Sequence, residues 1–82
     1  MAPVKIYTLS TCSHCKNTKK LLNELGISYD FVDVDLLQGK EREAMIEEVR
    51  KINPSLSFPT ILIGGRLIVG FKEQEIREAL GL

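Results

Sequence analysis

Residues 58–69 read FPTILIGGRLIV, and this stretch of sequence decides the fold. Two runs rich in β-branched and aliphatic residues flank Gly64-Gly65, a pattern that predicts a tight antiparallel hairpin whose turn requires a positive φ. Residues 73–80 follow with apolar side chains at the i, i+3 and i+4 spacing of a final helix, namely Ile76, Ala79 and Leu80. The C-terminal part of the chain is therefore expected to fold as β-β-α.

Upstream of this hairpin, the sequence alternates two further strands with two further helices. Residues 4–9 and 28–34 have the β-branched and aromatic content or the period-two alternation of short strands. One helix is predicted from Cys15 to a stop at Gly26, and residues 40–52 form a second, amphipathic helix. The predicted order is β-α-β-α-β-β-α, an α/β protein with a four-stranded mixed sheet flanked by three helices.

Length and composition limit the function classes. The 82 residues are 44% hydrophobic and 27% charged, which predicts a single domain over residues 1–82 with a packed core. Eleven basic and eleven acidic residues cancel to zero net charge, so no overall field favours nucleic acid or anionic lipid. No apolar run approaches the ~20 residues of a membrane span, and the N-terminus has no signal-peptide pattern. We therefore expect a cytoplasmic monomer that binds neither nucleic acid nor membranes.

The charges are segregated along the chain although they cancel in sum. Residues 1–23 carry four lysines and no acidic residue, whereas residues 30–35 carry three aspartates. The aspartates are expected to form a solvated strand edge. Lys16 and Lys19 are expected to be surface charges of the first helix, with one of them contacting a carboxylate of the substrate.

The two cysteines lie in one Cys12-Ser13-His14-Cys15 segment. A small secreted domain held by disulfides usually carries roughly four to eight cysteines, so this pair is expected to be reactive or metal-binding rather than structural. Cys12 lies just before the predicted first helix, where unpaired N–H groups and the helix dipole favour a thiolate. The spacing supports attack by Cys12 on a substrate disulfide, followed by closure of a Cys12–Cys15 bond.

Other interpretations of this segment stay open. Both thiols can pack as small hydrophobes, or they can supply half of a tetrahedral zinc site that only a dimer would complete, because His14 is the only histidine. We assign no metal. His14 is either a solvent-facing side chain without a role or a partial positive charge that stabilises the Cys12 thiolate.

The sequence resembles the glutaredoxins, small members of the thioredoxin-fold superfamily. Three segments carry the resemblance: residues 6–15 (IYTLSTCSHC), 58–65 (FPTILIGG) and 68–71 (IVGF). The resemblance implies the thioredoxin/glutaredoxin fold, with the cysteine pair exposed at the start of the first helix. It also implies a cis Phe58–Pro59 peptide, whereas on sequence alone Pro59 would simply open an edge strand.

The resemblance also implies a thiol–disulfide oxidoreductase, an electron carrier of cell redox homeostasis that reduces protein disulfides or glutathione mixed disulfides. Cys12 and Cys15 are then catalytic, no cofactor is tightly bound, and glutathione is a co-substrate. The residues implied for substrate or glutathione binding are Ser13, His14, Phe58, Pro59, Gly70 and Phe71. The alternative is a dimeric glutaredoxin that binds an iron–sulfur cluster through Cys12, since some family members with serine after the first cysteine do so.

Two departures from the family pattern concern the electron donor. Dithiol glutaredoxins carry a lysine shortly before the first cysteine, whereas residues 8–11 contain none. They also carry an aspartate after the last strand, which holds the amino group of glutathione; this chain has Lys72 there, followed by Glu73. Residues 70–72 are closer to the Gly-Phe-Arg of redoxins that serve ribonucleotide reductase. The expected donor is therefore either glutathione or a flavoprotein of the thioredoxin-reductase type.

Overall fold

The computed structural model describes residues 3–82 and contains the predicted order of strands and helices. The elements are β1 (Val4–Thr8), α1 (Ser13–Glu24), β2 (Asp30–Asp33), a 3₁₀ helix (Val34–Leu36), α2 (Gly39–Ile52), β3 (Thr60–Ile63), β4 (Arg66–Val69) and α3 (Glu73–Ala79). The ends of β1, α2 and α3 lie within one residue of the predictions, and three differences are larger. α1 begins two residues before Cys15, and β3 begins at Thr60, after Phe58 and Pro59. β2 starts two residues later than predicted and ends where the residues after Asp33 turn into the 3₁₀ helix. Among residues 3–82, no helix has the length and apolar character needed to cross a membrane.

The mixed sheet has the strand order β2-β1-β3-β4. β1 and β2 are parallel, with Thr8 opposite Asp33, whereas β3 is antiparallel to both β1 and β4. Since α1 connects two parallel strands, it starts at the edge of the sheet where β1 ends. Thr60, the first residue of β3, pairs with Tyr7 near that same end. The topology therefore brings the cysteine segment and the segment before β3 to one end of the sheet.

The hairpin that decides the fold forms as predicted. Ile63 pairs with Arg66 across the two-residue turn, and Gly64 has a φ of 61°. The N–H of Gly64 also donates to the carbonyl of Pro3 at 2.8 Å. Because Gly64 lacks a Cβ, it adopts this left-handed conformation without the steric cost that other residues would carry.

Helices cover both faces of the sheet, because neighbouring residues of β1 point to opposite sides. Ile6 belongs to a core cluster that includes residues of α1 and α3, whereas the Tyr7 hydroxyl donates to Glu48 of α2 at 3.3 Å. The cluster consists of Val4, Ile6, Leu21, Leu22, Ile61, Ile63, Ile68 and Ile76. On α2, Val49 is fully buried. The structure therefore has α1 and α3 on one face and α2 on the other.

Candidate functional site

Cys12 is the N-cap residue of α1. Its backbone is extended, with φ −83° and ψ 120°, and its Sγ accepts a hydrogen bond from the N–H of Cys15 at 3.2 Å. Its carbonyl accepts the first helical hydrogen bond, from the N–H of Lys16 at 3.1 Å. N-cap side chains lie where the free N–H groups and dipole of a helix stabilise negative charge. The partly exposed Cys12 sulfur therefore occupies a position suited to an anionic nucleophile.

Cys15 lies in the first turn of α1, and only 1% of it is exposed. Burial raises the pKa of the Cys15 thiol to about 12; a hydrogen bond with Cys12 also raises it, while the Leu9 backbone and the charge of Lys19 lower it. Cys15 is therefore a thiol at neutral pH. Both cysteines are free. The expectation of an exposed pair is wrong for Cys15, because the inward face of α1 packs it beneath the more accessible Cys12.

Asp35, in the 3₁₀ helix, holds the segment between β1 and α1. Its carboxylate accepts hydrogen bonds from the N–H of Ser10 at 2.8 Å and from the Ser10 hydroxyl. These two bonds, with a smaller contribution from Arg42, lower the pKa of Asp35. The N–H of Cys12 donates to the carbonyl of Leu9 at 3.1 Å. The loop that carries Cys12 is thus fixed on both sides of Ser10.

The Phe58–Pro59 peptide is cis, as the family resemblance implies. Pro59 is buried and Phe58 is half-buried. The carbonyl of Pro59 accepts a hydrogen bond from the N–H of Gly70 at 2.9 Å, and Gly70 has a φ of 87°. The loop after β4 therefore lies beside the segment that enters β3.

A buried asparagine holds the loop between α2 and β3 in place through hydrogen bonds. Asn53 is 4% exposed, and its side-chain amide donates to the carbonyl of Ser57 at 3.1 Å and to the hydroxyl of Thr60 at 3.0 Å. The Thr60 hydroxyl in turn donates to the Ser57 carbonyl at 2.8 Å. These bonds connect the residues on either side of Phe58 and Pro59. The sequence gives no signal for this role, because Asn53-Pro54 has the pattern of an ordinary helix end.

The surface has two clefts, one beside the loop that leads into Cys12 and one along α1. The first is mainly apolar, has a volume of about 200 Å³, and is lined by Leu9, Val34, Asp35, Arg42, Ile46, Leu56 and Phe58. The second, of about 210 Å³, lies between α1 and the start of α3 and is lined by Asn17, Lys20, Leu21, Glu24, Phe71 and Glu73. The first cleft adjoins the cysteine segment, because the carbonyl of Leu9 accepts the N–H of Cys12, and it also adjoins the cis proline, which Phe58 precedes.

The remaining residues implied for substrate binding fall into two groups. Ser13 and His14 are exposed in the first turn of α1, and the carbonyl of His14 accepts a hydrogen bond from the Thr18 hydroxyl at 2.9 Å. Phe71 is half-buried, packs against the core cluster and lines the second cleft. The structure thus brings Cys12, Cys15 and the cis proline to one end of the sheet and places Phe71 along the flank of α1.

The charged residues after β4 pair with one another. Lys72, at the position where the resemblance implies an aspartate, lies 3.7 Å from a carboxylate oxygen of Glu75. Glu73 pairs with Arg77 at 3.0 Å. The carboxylate nearest to the expected position is therefore already engaged with a cation of its own helix.

An ion pair on α1 and β2 is a site feature that the sequence analysis missed. The Lys19 ammonium lies 3.2 Å from Asp33 Oδ1 and 4.0 Å from the centroid of the Phe31 ring, and the Thr8 hydroxyl donates to the same aspartate. The expectation of a solvated edge is therefore wrong for Asp33, whose side chain is only 16% exposed. The available signal was that Lys19 follows Cys15 by four residues and so shares its helix face.

Comparisons with known proteins agree with this geometry. The family model described as Glutaredoxin matches residues 4–68. A relative from Clostridium pasteurianum, an uncharacterized glutaredoxin-like 8.6 kDa protein in the rubredoxin operon, is 43% identical over 74 residues, which are 89% of this chain and 91% of the relative.

Two solved structures from Methanosarcina species resemble the whole fold. The glutaredoxin of Methanosarcina mazei Go1 is 59% identical with a TM-score of 0.86, and the match covers 98% of this chain and 79% of that one. The methanoredoxin of Methanosarcina acetivorans is 51% identical with a TM-score of 0.91, and the match covers 98% and 85% of the two chains.

Proposed function

Because this chain belongs to the glutaredoxin family of thiol oxidoreductases, we propose that it reduces protein disulfides with Cys12 and Cys15 as its dithiol. The observation that carries the proposal is the asymmetry of the pair. Cys12 Sγ caps α1 at 3.2 Å from the N–H of Cys15, and the Cys15 thiol is buried behind it. One sulfur is thus placed for attack on an incoming disulfide, and the other is protected until the first has reacted.

The reaction proceeds in two exchanges. The Cys12 thiolate attacks one sulfur of the substrate disulfide, the substrate S–S bond breaks, and the released substrate thiolate takes a proton from solvent. Cys15 then gives up its proton and attacks Cys12 Sγ, so that the Cys12–Cys15 bond forms and the second substrate thiolate leaves and is protonated. Two electrons pass from the dithiol to the substrate, and the two protons that the substrate gains come from solvent and from the Cys15 thiol. Since both cysteines carry the electrons, the cycle requires no resident cofactor.

The residues around the dithiol receive roles in binding the substrate. Phe58 precedes β3, whose pairing begins at Thr60, so its backbone lies outside the sheet register. We propose that the Phe58 backbone pairs with the extended chain of the substrate on one side of Cys12, and that the exposed Ser13 and His14 contact it on the other. Gly70, bonded to Pro59, completes this surface.

For the electron donor, we propose a flavoprotein of the thioredoxin-reductase type rather than glutathione. Leu9 lines an apolar cleft in the segment where dithiol glutaredoxins carry a lysine. Glu73 is paired with Arg77 at 3.0 Å, and Lys72 adds a positive charge where the amino group of glutathione would need a carboxylate. Both departures weaken the contacts that would hold glutathione.

The test is reduction of insulin disulfides, followed by NADPH consumption in two arms. One arm supplies thioredoxin reductase, and the other supplies glutathione with glutathione reductase. We expect turnover in the first arm, much slower turnover in the second, and none in either for Cys12→Ser. Asn23→Ala, an exposed change on the same helix, is the matched control and should retain full activity.

The proposed electron donor and the proposed disulfide-reducing activity can be refuted independently. Faster turnover with glutathione would overturn the choice of donor alone. The proposed activity itself would be overturned if stoichiometric reduced protein, added without any donor, left the insulin disulfides intact.

A further inference from the structure

We propose that Lys19 is a positioning residue for the resolving step: its ammonium, anchored by Asp33, stabilises the thiolate that Cys15 becomes when it attacks the mixed disulfide on Cys12. The inference rests on the proposed function, because only a resolving cysteine has to ionise in its buried position. It adds to the dithiol a third side chain, one that takes no part in bond making.

The geometry of α1 places this lysine where it can act on Cys15. Lys19 follows Cys15 by four residues, and residues at this spacing are neighbours on one face of a helix. The Lys19 side chain is 24% exposed, whereas Lys16 and Lys20 are exposed. Lys19 is therefore the lysine of this helix that turns toward the sheet.

Two side chains of β2 hold the ammonium in place. Asp33 Oδ1 lies 3.2 Å from Lys19 Nζ, and the ring of Phe31 lies under the same nitrogen, with its centroid at 4.0 Å. Asp33 is itself fixed by the hydroxyl of Thr8, which is fully buried and opposite Asp33 in the parallel register. A flexible lysine side chain is thus tethered at two points.

The charges that act on Cys15 change when the mixed disulfide forms. In the reduced protein, Cys12 and burial both raise the pKa of Cys15, while the Leu9 backbone and Lys19 lower it. Once Cys12 is bonded to a substrate sulfur, it is neither a thiol nor a thiolate, so its effect on the charge of Cys15 is lost. Burial then remains as the opposing factor, and it is countered by the Leu9 backbone and by Lys19, of which Lys19 alone carries a full positive charge. The lysine therefore matters most at the moment of resolution.

The experiment separates the two exchanges in time. A limiting amount of dithiobis(nitrobenzoate) is mixed with the reduced protein, and thionitrobenzoate release is followed by stopped flow. The first equivalent leaves when Cys12 attacks the reagent. The second leaves when Cys15 resolves the mixed disulfide, a step whose rate does not depend on reagent concentration. The variants are Lys19→Gln, Lys19→Arg and, as the control, the neighbouring Lys20→Gln.

The expected effect follows from the loss of one nearby charge. Loss of the ammonium raises the pKa of the Cys15 thiol, and thiolate nucleophilicity recovers only part of what the thiolate fraction loses, so the second phase of Lys19→Gln should slow about threefold for each tenfold loss of thiolate at pH 7. Its pH profile should move upward, and its first phase should not change. Lys19→Arg should restore the second phase, and Lys20→Gln should leave both phases unchanged.

Each outcome decides between the proposals. An unchanged pH profile for the second phase of Lys19→Gln, or a failure of Lys19→Arg to restore its rate, would overturn the role of Lys19. If the unmodified protein released only one equivalent, the proposed dithiol cycle itself would be wrong.

Discussion

The loop that presents Phe58 and the cis proline depends on one buried side chain, and Asn53→Ala tests that dependence. The substitution removes the amide that donates to the Ser57 carbonyl at 3.1 Å and to the Thr60 hydroxyl at 3.0 Å. The backbone bond from the N–H of residue 53 to the carbonyl of Val49, at 2.7 Å, is available to alanine as well. The helix end is therefore kept while the tether of the loop is lost.

The magnitude follows from the bonds that disappear. Each of the two short bonds donated by the amide has a net value of about 1 kcal/mol, and the emptied volume adds to the cost, so unfolding should become about 2–3 kcal/mol easier. The Ser55 hydroxyl, which donates to Asn53 Oδ1 at 2.6 Å, belongs to an exposed residue and can bond to water instead. A third contact, from the same amide to the Ser57 hydroxyl at 3.4 Å, is too long to add much. For a domain of this size, such a loss lowers Tm by roughly 10–20 °C.

Urea unfolding followed by far-ultraviolet circular dichroism measures this loss directly. Asn23→Ala, which changes an exposed asparagine of α1, should leave the midpoint close to that of the unmodified protein. The initial burst of thionitrobenzoate from Cys12 should also be unchanged in Asn53→Ala, because Cys12 is held by α1 and Leu9, whereas insulin reduction should slow. A loss of stability below about 1 kcal/mol, or no greater than that of Asn23→Ala, would refute this account of the loop.

Three further predictions concern the cysteine segment. At pH 7, iodoacetamide should modify Cys12 and spare Cys15, and modification of Cys15, located by mass spectrometry, should need pH values approaching its pKa of about 12. Ser10→Ala should lower the urea midpoint at pH 7, and its difference from the unmodified protein should shrink as the pH falls toward 3. Hydrogen bonds from Ser10 depress the pKa of Asp35 in the folded protein. The stabilisation is therefore present above the unfolded pKa of about 3.9 and is lost as the folded carboxylate protonates. Anaerobic reconstitution with iron and sulfide should leave a colourless monomer, and a brown dimer would support the iron–sulfur alternative instead.

The strands and helices were predictable because their signals are local. The Gly64-Gly65 turn and its two flanking runs lie within residues 58–69, and the hairpin forms there with the expected register. The stop of α1 was also encoded locally, since the helix ends at Glu24 and Leu25 caps it just before Gly26. The place of Cys12 just before α1 is confirmed, while the helix itself begins at Ser13, two residues before the run of helix formers that starts at Cys15.

The supports of the site were not predictable, because they depend on the pairing of β1 with β2. The bonds from Thr8 to Asp33 and from Ser10 to Asp35 each join residues 25 positions apart. Only the parallel register, which sets Thr8 opposite Asp33, brings these groups together. Without that register, three aspartates in six residues have the composition of a solvated edge, and only the exposed Asp30 behaves that way.

Asp33 and Asp35, the two aspartates that are not solvated strand-edge residues, contact the chain on either side of the cysteine pair in sequence. Asp35 fixes Ser10 in the loop that leads into Cys12, whereas Asp33 fixes Lys19 in the helix turn that follows Cys15. A single short segment, the end of β2 and the turn after it, therefore contacts both the loop that leads into Cys12 and the helix turn that follows Cys15. A substitution that shifts this segment should impair the two exchanges together, whereas changes at Ser10 or Lys19 should separate them. Within a chain of zero net charge, the pairing of Asp33 with Lys19 joins the acidic end of β2 to the lysine-rich first helix.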